Sequence, residues 1–329
     1  MSSYVNIYTD IQTESSPTSD SQRQIQYHQP SVHSSTKTTN NTKYKPGSSV
    51  ATQAINSNVL MWAGFLTVSM VIYFMLSGGD FSFLMTYGGL ARLFGFGILN
   101  YKILTRQQVT GISIKTLQLY TTVFFFRLIS IMMHEGYLPY DKSGDWLYHF
   151  VEGTSLVLAS VALFATMFSF RHTYQGTLDS FGDDTGVMSM AAIIFFISIF
   201  IHPTLNKDLI SDVAWTFAMY LESAALIPQL YMFQNQSRKA SVSGGGIDQL
   251  MAHFVFALGF GRIMELLFWI YHHHELTNTS GSCLPGYLAV VSQLIQIGLM
   301  LKFFRSYYFS MKYSTPMTLP TSHAVMSIV

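Results

Sequence analysis

The sequence predicts an all-α integral membrane protein, and three observations carry that prediction. Of its 329 residues, 49% are hydrophobic and only 11% charged, whereas a soluble chain is about one quarter charged. The mean hydropathy is +0.30. Eight apolar stretches approach the ~20 residues that a bilayer-crossing helix needs; they are 58–77, 82–104, 113–133, 146–169, 186–202, 211–233, 249–271 and 284–308. A net charge of +1 offers nothing to nucleic acid. The single cysteine, Cys283, excludes an intramolecular disulfide and any multi-cysteine metal site.

Residues 1–56 come first and are unlike the rest, being rich in Ser, Thr, Asn and Gln without an apolar run. Such a segment cannot bury enough apolar surface to offset its ordering entropy, so a disordered tail is expected. It also lacks the pattern of a signal peptide. A first membrane helix follows over 57–80. The second span is interrupted by Gly88, Gly89, Gly95 and Gly97, which would let neighbouring backbones approach closely. The fifth is short, but its run "MAAIIFFISIFI" is continuous. In the sixth, "YLESAALIPQL" places Glu222 ahead of Pro228 and Gln229. A proline there weakens the helix and predicts a hinge.

Orientation follows from the basic residues in short loops. One side holds Lys102, Arg106, Lys115, Arg171, Arg238, Lys239, Arg305 and Lys312, and the other only Lys142 and Lys207. The first side is therefore expected to be cytosolic, together with both termini. The sequon Asn278-Thr279-Ser280 then falls on the lumenal side, and those at Asn40 and Asn235 on the cytosolic side. The order of features also suggests a repeat. Three helices over 82–169 and three over 211–308 each place an arginine, Arg127 or Arg262, in the helix after a basic loop. Helix 186–202 would connect the halves so that both share one orientation, as in parallel-repeat transporters.

Charged residues inside these spans are costly, about 2.5–3.5 kcal/mol each on insertion scales. The chain nevertheless carries Arg92, Arg127, Glu152, Asp212, Glu222, Arg262 and Glu265, with Lys302 nearer an end. They could pair simply to hold the bundle together, as Arg262 and Glu265 can locally at i, i+3. As a set they outline a polar cavity. Arg262, Glu265 and Trp269 share one helical face, as do Asp212, Trp215 and Met219. Arg127 shares its face with Ser130 and His134, with Tyr120 one heptad earlier. Arginine grips carboxylates bidentately, and carboxylates and tryptophan faces receive cations. A small ligand with both charges, such as a peptide terminus or an amino acid, fits that chemistry.

No catalytic or cofactor motif accompanies it. The histidines of "YHHHEL", 272–274, point in different directions at a span end and read as interfacial rather than as metal ligands. No enzyme, metal or cofactor is expected.

The stretches "GISIKTLQL", "WTFAMYLESAALIPQL", "HFVFALGFGR" with the following Trp269, and "FRHTYQGTLDSF" resemble the KDEL receptor family, whose members retain soluble proteins in the endoplasmic reticulum. The resemblance spans roughly residues 82–313. It implies a seven-helix SWEET/PQ-loop-like bundle, two three-helix repeats plus a connector helix, with one additional N-terminal transmembrane helix. The domains would be a tail over 1–56, the extra helix over 57–80, the receptor-like domain over 81–313 and a cytosolic tail over 314–329. The family binds C-terminal Lys/His-Asp-Glu-Leu signals in a lumenal cavity at acidic Golgi pH and returns cargo with COPI coats. By that resemblance Arg127 and Arg262 would bind ligand carboxylates, and Asp212 would receive the basic first side chain. Trp215 and Trp269 would be cavity aromatics, and Glu222 the glutamate of the switch region. Read from the residues themselves, Glu265 is a further ligand contact on the face of Arg262 and Trp269, Arg92 and Glu152 join Glu222 in a polar network, and Pro228 and Gln229 form a hinge. Endoplasmic reticulum and Golgi membranes would be its location.

The departures from the family pattern are specific. Met85 stands where an arginine is expected, and Arg92 where the family has its pH-sensing histidine. Gly261 and Glu265 replace two tyrosines, and Ser130 replaces an aspartate. No lysine or arginine follows Lys312, where a coat-binding cluster is expected. Arginine does not lose its proton in the physiological range, so position 92 has no pH switch of its own. Weaker or altered binding of KDEL-type peptides is the expectation. A SWEET-like small-solute transporter is the alternative function.

Overall fold

The computed structural model describes residues 48–76, 83–133, 145–204, 208–274 and 283–320. Tail residues 1–47, Lys142, Lys207, His134 and the sequons at Asn40 and Asn278 lie outside the described residues. Among the described residues all regular elements are helical, apart from one isolated antiparallel bridge between Ile247 and Met317. The helices are α1 (Ser48–Leu76), α2 (Phe83–Arg106), α3 (Ile114–Met133), α4 (Asp145–Phe164), α5 (Asp183–Phe200), α6 (Leu209–Ala225), α7 (Ile227–Ser243), α8 (Gln249–His272) and α9 (Leu284–Tyr313). A π-helical turn, Ala165–Ser169, continues α4.

The expected apolar stretches are thus helical, and the all-α membrane class stands. By length and apolarity, Trp146–Ser169, Gln249–His272 and Leu284–Tyr313 can each cross a membrane, and Val59–Met75 and Thr185–Phe200 are shorter apolar stretches. The stretch 211–233 differs from expectation. It is two helices, broken at Leu226. Pro228 lies in the first turn of α7, where its missing N–H leaves no hydrogen bond unmade. Helix α7 also runs on to Ser243, α9 to Tyr313, and α1 begins at Ser48 within the expected tail. Hydropathy sees only the apolar part of a helix and misses such polar extensions.

The packing order repeats. Helix α4 packs against both α2 and α3, and α9 packs against both α8 and α6. In each set of three, the third helix lies between the first two. The sets meet through α2 on α8 and α3 on α6, the two contacts that a two-fold exchange of the halves would interconvert. Helix α5 lies against α6.

Glycine sets the distance between α2 and α8. A Cβ on Gly261 would lie 2.6 Å from the Gly88 carbonyl oxygen, and one on Gly95 would lie 3.3 Å from that of Phe254. Gly89 faces Val151 of α4, whereas among the described residues a Cβ on Gly97 would meet nothing within 4 Å. Gly97 is therefore not a contact glycine. Below this crossing Phe96 meets Tyr120, Phe124 and Phe254 edge-on, with centroids 5.5, 5.4 and 5.4 Å away. Helix α1 docks along Trp62, Phe65, Ser69 and Tyr73, one helical stripe. Phe65 stacks on Phe94 at 4.5 Å, and the Trp62 indole donates to Nδ1 of the buried His253 at 3.4 Å.

The basic end of the bundle is tied together by its loops. Arg106 pairs with Asp248, and the same aspartate caps α8 by accepting from Leu250 N at 2.9 Å. Buried Lys102 donates to Thr110 O at 2.5 Å, and Lys115 to Phe181 O at 2.8 Å. The segment after α9 folds back onto this end. Ile247 N donates to Met317 O at 2.8 Å and Leu319 N to Ser237 Oγ at 2.8 Å, burying Met317 and Leu319.

Candidate functional site

Six ionisable residues from five helices converge inside the bundle. Arg92 comes from α2, Arg127 from α3, Glu152 from α4, Glu222 from α6, and Arg262 and Glu265 from α8. Each is at most 5% exposed, and Glu152 and Glu222 are fully buried. Charges so deep must be paired, because desolvation otherwise costs several kcal/mol per ion.

The pairing is dense. Arg92 donates from Nη1 to Glu222 Oε1 at 2.9 Å and Glu265 Oε1 at 2.8 Å, and from Nη2 to Glu152 Oε1 at 2.7 Å. Arg127 donates from Nη1 to Glu152 Oε1 at 3.3 Å and from Nη2 to Glu222 Oε2. Arg262 pairs through Nη2 with Glu222 Oε2 and donates from Nη1 to Glu265 Oε2 at 2.6 Å. Glu222 thus meets all three arginines, while Arg92 meets all three carboxylates. Three cations face three anions, so the network is neutral.

A cavity opens beside the network, away from the basic loops. Its wall is Met85, Arg127, Trp215, Met219, Arg262, Glu265, Trp269, Ala289 and Gln293. Its volume of about 20 Å³ holds a water centre and little more. Trp215 and Trp269 belong to a small apolar cluster with Met219, Phe268 and Ala289. The cavity lining therefore combines charged groups with aromatic side chains.

Five of the six residues singled out from sequence as ligand contacts line this one cavity: Arg127, Arg262, Glu265, Trp215 and Trp269. Asp212, the sixth, is buried in the first turn of α6, one turn from Trp215, and is not part of that wall. Ser130 is buried and meets Ser211, its hydroxyl donating to the Ser211 carbonyl oxygen at 3.2 Å. Met85, standing where an arginine was expected, supplies an apolar side chain to the wall.

Gln229 is held in place. Its Oε1 accepts from Ser113 N at 3.0 Å, its Nε2 donates to Gly111 O at 2.8 Å, and its N donates to Thr116 Oγ1 at 2.9 Å. Gln229 therefore clamps the start of α7 to the first turn of α3 and the loop before it, at the basic end. Gln293 was missed from sequence. Its Nε2 donates to Glu265 Oε2 at 3.4 Å from α9. Its signal was an uncharged polar residue inside an apolar span, weaker than a charge.

Among the described residues no group of His, Cys, Asp and Glu could hold a metal ion. His272 and His273 each turn a ring nitrogen to a carbonyl of their own helix, Phe268 O at 3.2 Å and Ile270 O at 3.1 Å.

Residues 108–272 match the family described as ER lumen protein retaining receptor, and they make up half of the chain. ER lumen protein-retaining receptor A of Arabidopsis thaliana is 28% identical over 236 residues, 71% of this chain and 96% of that protein. The ER lumen protein-retaining receptor of Saccharomyces cerevisiae is 26% identical over 232 residues, 67% and 91% respectively. ER lumen protein-retaining receptor 2 of Homo sapiens is 26% identical over 236 residues, 71% and 96%. These relatives are covered almost end to end, and the matched stretch carries Arg127, Glu152, Glu222, Arg262 and Glu265, so the chain belongs to the ER lumen protein-retaining receptor family.

Proposed function

We propose that the protein is a membrane receptor for C-terminal retention signals of soluble endoplasmic reticulum proteins, acting in their return from the Golgi. The observation that carries this reading is the cavity wall that sets Arg127 and Arg262 beside Trp215 and Trp269, in a chain of a receptor family rather than an enzyme family. The arginines would take ligand carboxylates, and the tryptophans would flank the peptide. Asp212 would meet the basic end of the signal. Arg92, Glu152 and Glu222 would hold the arginines in position.

The cavity lies at the end away from the basic loops, and the positive-inside rule supports a lumenal opening with both termini cytosolic. Endoplasmic reticulum and Golgi membranes are the proposed location. The stretch before α1 would be a cytosolic tail, α1 an accessory helix, and 81–313 the receptor domain. A COPI coat on the cytosolic side is a further proposed partner.

The test is complementation in cells lacking their own receptor. The protein should restore retention of cargo ending in a KDEL-type signal or a variant of it, and Arg127→Ala or Arg262→Ala should abolish that retention. Correctly located protein that retains no C-terminal signal from a library would sink the proposal.

A further inference from the structure

Resting on the receptor reading, we propose that Glu265 is a tethered carboxylate that occupies the anion position of the cavity and so determines which ligands enter. It sits as a peptide carboxylate would. One oxygen takes Arg262 Nη1 at 2.6 Å, the other takes Arg92 Nη1 at 2.8 Å, and Gln293 Nε2 lies 3.4 Å away. The same side chain forms part of the cavity wall.

The backbone of α2 makes room for this pose. A Cβ at Gly88 would lie 2.4 Å from Glu265 Cγ and 2.9 Å from its Oε1. Only glycine there lets the glutamate lie against α2 and reach Arg92. Charge counting agrees with the geometry. With Glu265 in place the three arginines are balanced by three glutamates, and an incoming carboxylate finds no net positive charge. Among the described residues, Arg262 Nε and Gln293 Oε1 are buried without a hydrogen-bond partner. Both would become useful to a ligand once the internal carboxylate is gone.

The unsubstituted cavity therefore takes C-terminal signals at reduced affinity. A free terminal carboxylate must displace Glu265. The experiment titrates the purified protein and Glu265→Gln with the tetrapeptide His-Asp-Glu-Leu, as the free acid and as the C-terminal amide. Glu265→Gln should bind the free acid at least about tenfold more tightly than the unsubstituted protein, because the three arginines then face only two carboxylates and one positive charge is left for the ligand. The amide should show no such gain. Melting temperature with and without peptide is a second readout, and the free acid should stabilise the variant more. If Glu265→Gln is not recovered folded, Glu265→Ala decides by the same comparison. Equal free-acid affinity in both proteins would overturn the inference and leave the receptor reading standing. A failure of both proteins to bind any C-terminal peptide would overturn both.

Discussion

Glu222 is the buried centre of the ion network, and its replacement by leucine is expected to destabilise the protein by about 3 kcal/mol. The carboxylate is fully buried and pairs with Arg92, Arg127 and Arg262. Removing one partner of a buried pair costs about 3–5 kcal/mol, because the other charge stays desolvated. Here the loss is expected near the lower end, since no arginine is stripped bare. Arg92 keeps Glu152 and Glu265, Arg127 keeps Glu152, and Arg262 keeps Glu265. At about 2–4 °C per kcal/mol for a domain of this size, the melting temperature should fall by roughly 6–12 °C. Intrinsic tryptophan fluorescence of the purified protein in detergent reports it. Combining Glu222→Leu with Arg127→Met should recover part of the loss, with a coupling of about 0.5–3 kcal/mol in the double-mutant cycle. A fall of less than ~1 kcal/mol with no coupling would refute the argument, since the pair would then be neither buried nor mutually dependent.

Three further outcomes follow from local geometry. Gly261→Ala should cost about 1–3 kcal/mol by forcing α8 off the Gly88 carbonyl, while Gly97→Ala, with open space around it, should stay within about 0.5 kcal/mol; thermal melts compare the two. Gln229→Ala should leave Ser113 N and Gly111 O without their partner, at about 1–3 kcal/mol, and should speed amide hydrogen exchange at Ser113. Met317→Asp should release the segment after α9 from Ile247 and Ser237, and limited proteolysis should then cut beyond Tyr313 faster than in the unsubstituted protein.

Much of the fold was legible because hydropathy and helical period are local properties. The apolar runs located the helices, and the spacing of Arg262, Glu265 and Trp269 correctly placed three cavity residues on one face of α8. Asp212 shared the face of Trp215 and Met219 by the same arithmetic, yet only the latter two reach the cavity wall. Period fixes direction around a helix and says nothing of depth along a neighbour. The break at Leu226 was hidden inside a continuous apolar run, and Pro228 stood out as a bend rather than as the first turn of a new helix. The stripe Trp62, Phe65, Ser69 and Tyr73 on α1 was readable in the same way, but within a run of apolar residues it did not stand out from the lipid-facing positions.

The sequence by itself determined the membrane class, the apolar runs that become helices, the arginine in each half and the set of charges that had to be resolved inside the bundle. It could do so because burying an unpaired charge is prohibitive wherever the partner comes from. Beyond the local Arg262–Glu265 pair, only the tertiary structure decided which charges meet. Arg92, Glu152 and Glu222 lie 60 to 130 positions apart, and their contact depends on how α2, α4 and α6 cross. The close approach of α2 and α8 at Gly88 and Gly261 then turned Glu265 toward Arg92, a consequence of backbone distance that no side-chain pattern encodes.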